Sequence, residues 1–320
     1  MRRGIATIFL AFLPAVVFGQ AAGPAPSDVE TLKVQGNVYL ITGAGGNIAV
    51  QVGDQGVLVV DTGVASMSAK VLAAIRKLSD KPIQYVINTH VHADHTGGND
   101  AIRRAGLTYV GANVTGNLTD AGVGAQIYAQ DNVLKRMSAP TGVQASVPFG
   151  AWPTETFLSG RKQLFFNGEP VEIIHQPAAH TDGDSLVVFR HSDVVVTGDI
   201  FVTTSFPFVD RERGGSIQGE IDALNNIMEI AVPGLQDEGG TYIIPGHGRI
   251  CDQPDLLEYR DMVTIIRDRV QAAVKKGMTL EQVNAGGLTK DYDGRYGAKT
   301  GVGSGETFVE AIYKGLAPKK

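Results

Sequence analysis

The sequence predicts an α+β fold in which two β-sheets pack face to face and helices cover their outer surfaces. Each half of the chain holds a block of short β-branched runs punctuated by glycine, and each block gives way to a segment whose apolar residues recur at helical spacing. At 320 residues, 43% hydrophobic and 19% charged, the chain has enough apolar side chains to bury one large core.

The N-terminus reads as an address. Arg2 and Arg3 precede an apolar run from Ile5 to Phe18, and Gly19-Gln20-Ala21 supplies small residues for cleavage. The run contains Pro14 and falls short of the roughly 20 residues a spanning helix needs. Residues 1–21 are expected to be a signal peptide, 22–28 a flexible leader and 29–320 a single domain, exported to the periplasm or secreted and free of the membrane after cleavage.

The first block of strands is expected at Val38 to Thr42, Asn47 to Val52 and Gly56 to Asp61. Met67, Val71, Leu72, Ile75 and Leu78 then mark an amphipathic helix ending before Lys81-Pro82. Thr42 to Asn47, "TGAGGN", fails as a dinucleotide fingerprint because Ile48 replaces the third glycine and a strand follows, so a hairpin turn is expected. Ile83 to Asn88 is a strand whose C-terminal end runs into "NTHVHADHTGGN". Asn113 to Met137 reads as helical, and Ser138 to Pro153 as a loop, either a binding wall carrying Trp152 or a solvated excursion.

The second block opens with Lys162 to Phe166 and Val171 to His175, flanking the hairpin signal Asn167-Gly168. Leu186 to Arg190 and Val194 to Thr197 follow as strands, then a helix from Ile217 to Ala231. Tyr242 to Ile244 is a short strand running into "PGHG", and Leu256 to Val274 is a long helix.

Chemistry concentrates at strand ends. His90, His92, Asp94 and His95 fall within six residues, and His180, Asp199 and His247 each stand beside small residues where an apolar run stops. Neutral imidazole and carboxylate are the ligands Zn²⁺ takes. His90, His92 and His180 would form one face and Asp94, His95 and His247 another, with Asp199 offering an oxygen to each of two ions. His175 and His191 have no such company and are read as structural. The single cysteine, Cys251, excludes an internal disulfide and is read as a partly buried thiol. A net charge of −5 argues against a nucleic-acid partner and for a small-molecule substrate; the oligomeric state is not legible.

These residues resemble the metallo-β-lactamase superfamily: "THVHADHTGG" is similar to its HxHxDH motif, and Asp61 in "VVDTG", His180, Asp199 and the histidine of "PGHG" follow in the family's order. The resemblance implies a four-layer αββα sandwich and two Zn²⁺ per chain held by His90, His92, Asp94, His95, His180, Asp199 and His247. Asp61 would be an outer carboxylate fixing the ligand loop. The implied activity is attack on a carbonyl by a metal-bound hydroxide, positioned by Asp94, on cyclic amides or esters, with β-lactamase-like activity. The lysine that some two-zinc lactamases use for a substrate carboxylate corresponds to Val202, leaving Thr203, Thr204 and Ser205 as hydrogen-bonding candidates and Phe206, Phe208 and Trp152 as apolar ones. Other readings are a glyoxalase II-like thioesterase, a mononuclear iron dioxygenase of the persulfide type and a non-catalytic zinc-binding protein.

Overall fold

The computed structural model describes residues 28–107, 124–139, 147–158, 160–234, 239–298 and 301–317. The expected signal peptide and all but the last residue of the leader lie outside the described residues. Among those described, no helix is long and apolar enough to cross a membrane.

The first sheet runs in chain order: β1 (Glu30–Gln35), β2 (Val38–Thr42), β3 (Ile48–Gly53), β4 (Gly56–Val60), β5 (Ile83–Ile87), β6 (Gln126–Gln130) and β7 (Glu155–Phe157). Its first four strands pair antiparallel through tight turns. From β4 onward pairing is parallel, because helix α1 (Ser68–Leu78) and later segments carry the chain back across the sheet. Short helices α2 (Ala93–Thr96), α3 (Asn99–Arg104) and α4 (Asp131–Met137) follow the parallel strands.

The second sheet has the order β12-β11-β10-β9-β8, from β8 (Arg161–Phe166), β9 (Glu169–His175), β10 (Ser185–Phe189), β11 (Val194–Val196) and β12 (Tyr242–Ile244). Asn167 and Gly168 turn the β8–β9 hairpin with φ of 50° and 84°, the left-handed pair that matches strand twist. Helices α5 (Ile217–Ile230), α6 (Gln253–Lys275), α7 (Leu280–Ala285), α8 (Asp293–Tyr296) and α9 (Gly305–Leu316) complete the chain.

Burial defines four layers. Leu40, Leu58, Val60 and Ile87 from the first sheet meet Ile173, Val187, Phe189 and Val196 from the second in the central core. Ile75 of α1 and Ile102 of α3 cover the outer face of the first sheet. Leu224, Tyr259 and Phe308, from α5, α6 and α9, cover the outer face of the second. This is the expected αββα sandwich.

Three expectations are corrected. The described part of Asn113 to Met137 is a strand, β6, followed by the short helix α4; the rest of that segment lies outside the described residues. In β6, Ile127 packs outward in the cluster that holds Ile102 of α3 while Tyr128 packs inward between the sheets, and burial on both faces hides the polar alternation that marks a strand. Second, α6 begins at Gln253, earlier than expected, because Asp252 and Asp255 form a reciprocal capping box with Pro254 in the first turn. Third, in Ser138 to Pro153, residues 140–146 lie outside the described set, and Phe149–Ala151 forms one helical turn. The edge strand β1 and the helices after α6 add to the expected elements.

Candidate metal centre

The site is built where β5 ends. Asn88 and Asn99 exchange amide hydrogen bonds at 3.0 and 2.8 Å, tying the start of the ligand loop to α3. Beyond them come His90 and then His92, the latter in extended backbone, and α2 turns Asp94 and His95 into the same space. The other ligand-bearing loops arrive from the second sheet: His180 between β9 and β10, Asp199 just after β11, and His247 just after β12. Gly198, at φ 53°, makes this possible, since a Cβ there would lie 2.7 Å from Thr89 Oγ1. The "TGAGGN" hairpin turn packs on the same centre: a side chain at Gly46 would overlap the His95 ring, and Asn47 Nδ2 donates to the carbonyls of Pro245 and Gly248 at 2.9 and 3.0 Å.

Two clusters result. The nearest ligand atoms of His90, His92, His180 and Asp199 lie within 4.8 Å of one another, as do those of Asp94, His95 and His247. Asp199 spans them. Its Oδ2 is 3.9 Å from His90 Nε2 and 3.8 Å from His180 Nε2, while its Oδ1 is 3.1 Å from His95 Nε2 and 3.4 Å from His247 Nε2. Asp94 Oδ2 adds a contact of 3.2 Å to His247 Nε2.

The donor set fits a metal. His90 Nε2 and Asp199 Oδ1 are buried without a hydrogen-bond partner. Ring nitrogens also face one another, His92 Nδ1 to His180 Nε2 at 2.9 Å and His95 Nε2 to His247 Nε2 at 3.4 Å. Buried lone pairs aimed at a common point need a cation or a proton between them. Nitrogen and carboxylate oxygen together suit Zn²⁺ and neighbouring first-row ions.

The remaining ring nitrogens are each held in place. Asp61 Oδ2 lies 2.8 Å from His95 Nδ1 and accepts from Thr89 Oγ1 at 2.7 Å, while its Oδ1 accepts from Thr89 N at 2.8 Å. With its proton given to Asp61, Thr89 Oγ1 is an acceptor for His90 Nδ1 at 3.0 Å. His180 Nδ1 donates to the Phe208 carbonyl at 2.5 Å, and His92 Nε2 meets Asp210 Oδ2 at 2.8 Å. His90, His95 and His180 therefore present Nε2 to the centre, and His92 presents Nδ1. Such partners fix ring orientation and basicity.

Electrostatics divide the centre. Burial, reinforced by neighbouring histidines, holds His90 well below its usual value and brings His180 down to about 4, so both are neutral imidazoles. Burial also opposes charge on His247, but Asp199 and Asp94 outweigh it and raise the group to about 9. His95 is raised in the same way against its burial, by Asp199, Asp94 and Asp61. Asp199 and Asp94 in turn are lowered, despite burial, by these two histidines. Without metal, the His95–His247 side carries the protons.

Of the proposed substrate contacts, Phe208 packs against two of the histidines, its ring stacked 6.0 Å from His92 and tilted 5.7 Å from His180. Thr203 and Thr204 lie beside the His247–Gly248 turn, with Thr203 N donating to the His247 carbonyl at 3.0 Å. Phe206 differs from expectation: it is fully buried, stacked on Phe308, because its backbone ties it to Gly303 and Tyr296 under α9. Ser205 turns its hydroxyl to the Phe206 carbonyl. Trp152 packs beside the small cluster around Val91 and Ala151 and donates to the Val147 carbonyl. His175 bonds to the Asp182 carbonyl, and neither it nor His191 joins a cluster. Cys251 is buried against Arg249, its thiol pushed up to about 12 by burial.

Asp210 and Thr89 were not anticipated. Asp210 sits in "PFVDRER", where only an acidic residue followed by two arginines marks it, and Arg213 binds it through both side chain and backbone. Thr89 lies inside the histidine stretch, but its role depends on Asp61, at the end of the neighbouring strand β4.

A sequence profile for the metallo-beta-lactamase superfamily matches residues 32–247. A linear primary-alkylsulfatase of Pseudomonas sp. (strain ATCC 19151) is 24% identical over 256 residues, 72% of this chain and 47% of that protein, so the chain spans about half that relative's length. A probable metallo-hydrolase of Streptococcus pyogenes serotype M6 is 23% identical over 214 residues, 65% of this chain and 78% of that protein. Among solved structures, the stereoselective inverting sec-alkylsulfatase Pisa1 from Pseudomonas sp. aligns with a TM-score of 0.59 at 18% identity, covering 89% of this chain and 50% of its own. The DIM-1 metallo-beta-lactamase aligns with a TM-score of 0.54 at 18% identity, covering 74% and 97%. At these identities the structural likenesses speak for the fold.

Proposed function

The chain belongs to the metallo-β-lactamase superfamily, and from that premise we propose that it is a dinuclear zinc hydrolase of small esters or cyclic amides, with β-lactamase-like activity. The observation that carries the reading is Asp199, whose two oxygens face two separate sets of histidines. When bound, a pair of Zn²⁺ supplies Lewis acidity, polarising the scissile group and lowering the pKa of water toward about 7.

The chain's own residues do the rest. His90, His92 and His180 would hold one ion and Asp94, His95 and His247 the other, with Asp199 shared. Burial of most of these side chains keeps bulk water away, while His247, 28% exposed, and Asp94, 16% exposed, mark the open side. Asp94 is thus placed to orient the attacking water and to receive a proton at Oδ2. Phe208 offers an apolar face beside His92, while at the His247–Gly248 turn Thr203 directs its hydroxyl to the His247 carbonyl and Thr204 presents its methyl. No serine, cysteine or lysine is needed as a nucleophile.

A second reading, hydrolysis of an alkyl sulfate ester, is favoured by the two alkylsulfatases among the matched proteins. Assay of the zinc-loaded protein against nitrocefin, a lactone, a thioester, and primary and secondary alkyl sulfates separates the two. Turnover of the sulfates alone would replace the first reading with the second, and turnover of none with two zinc ions bound would sink both. Export, with cleavage after Ala21, belongs to the proposal and is checked by N-terminal sequencing of the secreted protein.

A further inference from the structure

Behind the metal centre, on the helical side of the second sheet, lies a polar group that the hydrolytic chemistry does not use. Glu220 stands in the first turn of α5, which packs on the Gly198–Ile200 turn bearing Asp199. Its side chain is fully buried, and neither carboxyl oxygen has a hydrogen-bond partner. Tyr259, on α6, is also fully buried, and its hydroxyl, which has the backbone of Val202 beside it, finds no acceptor for its proton. The Glu220 charge acts on Tyr259, and Glu220 in turn feels Asp184 and Asp199.

Among the described residues, no basic side chain is seen to act on this group. The charges acting on Glu220 are Asp184 and Asp199, both acidic, with no lysine, arginine or histidine among them. Asp184 is already satisfied, accepting from Thr181 N at 2.7 Å and Thr181 Oγ1 at 2.5 Å. Three polar atoms are thus buried among the apolar residues of the outer core, where α5 packs on α6. Buried polar atoms in native cores find protein or ordered water partners, and internal water gathers where several such atoms are left unpaired.

We infer that Glu220 and Tyr259, with Asp184 beside them, form an internal water-binding site between α5 and α6, directly behind the turn that carries Asp199. Glu220 occupies it as the neutral acid: burial first, then Asp184 and Asp199, hold its carboxyl well above the usual range, so it donates as well as accepts. Its ligand is accordingly an uncharged hydrogen-bonding molecule of water's size. This site is independent of the hydrolase reading and of metal identity.

High-resolution crystallography of the whole protein, with and without zinc, tests the inference. Ordered density at hydrogen-bond distance from both the Glu220 carboxyl and the Tyr259 hydroxyl is expected in both forms and in Glu220→Gln, and its loss is expected in Glu220→Leu. A direct Glu220–Tyr259 hydrogen bond with no density between would overturn the site. Density at the shorter distances of a coordinated cation, with a melting temperature that changes when sodium is exchanged for potassium or choline, would overturn the assignment to water. Thermal unfolding gives a second readout: Glu220→Gln and Tyr259→Phe, sharing one water, should shift the melting temperature non-additively, and strictly additive shifts would count against a shared ligand.

Discussion

Asp210 Oδ2 lies 2.8 Å from His92 Nε2, on the opposite side of the imidazole from the metal centre. That contact leaves Nδ1 as the ring nitrogen facing His180 and makes His92 the one histidine of its cluster that presents Nδ1. Arg213 holds the carboxylate from behind, so the ring orientation is set by a chain of three side chains. Asp210→Asn keeps the shape but removes the charge. It is expected to weaken metal binding by about 10- to 100-fold, read by competition with a chromophoric chelator. Unchanged affinity would show that His92 needs no such anchor.

The pH response follows from His247. Its folded value of about 9 lies above the ordinary histidine value near 6.5. The proton it holds between Asp199 and Asp94 therefore stabilises metal-free protein fully below about pH 6.5, and that contribution is lost as pH rises through about 9. Urea titrations of the apo-protein should show this decline. For metal uptake the sign reverses, because an ion on the His95–His247 side must displace the proton. Affinity there should rise with pH between 7 and 9 by up to about tenfold per unit for each proton displaced, whereas the side bearing His90 and His180 should vary far less. Isothermal titration in buffers of different ionisation enthalpy counts the protons released.

Gly198→Ala isolates backbone placement from ligand chemistry. The new methyl meets Thr89 Oγ1 in a left-handed backbone position. A cost of about 1 to 3 kcal/mol is expected, measured by denaturant unfolding of metal-free protein, with metal stoichiometry falling because Asp199 is displaced. A variant as stable as the parent and still binding its full metal complement would contradict the close approach.

Phe208→Ala tests the apolar wall. The Phe208 carbonyl, which fixes His180, survives the change, so metal content should be retained while KM for an apolar substrate rises several-fold. Loss of metal instead would assign the ring to supporting His92 and His180.

The parts of the molecule most legible in the sequence are those with local causes. Asn167-Gly168 declares its hairpin because both residues accept positive φ, and β2 and β12 end where the apolar runs end. The ligand candidates are legible for the same reason: each stands where a buried strand reaches the edge of its sheet. Long-range causes are not legible. The strand β6 is hidden because Ile127 and Tyr128 are both buried on opposite faces, and α9 is set by its packing against α6 and α7. Asp210 is similarly silent, since its meaning comes from His92, a partner 118 positions away in the chain. Phe206 and Phe208 look interchangeable in sequence, yet one fills the core under α9 and the other flanks the histidines.

The two ligand sets draw on both halves of the chain, with His90, His92, Asp94 and His95 from the first sheet and His180, Asp199 and His247 from the second. A cation clasped between them is a reversible cross-link closing long loops of polypeptide, in a protein whose lone thiol gives it no covalent one. Chelation should then do more than silence chemistry. It should unfasten one sheet of the sandwich from the other at that rim, exposing amide protons of β5, β10 and β11 to exchange before the opposite edge loosens.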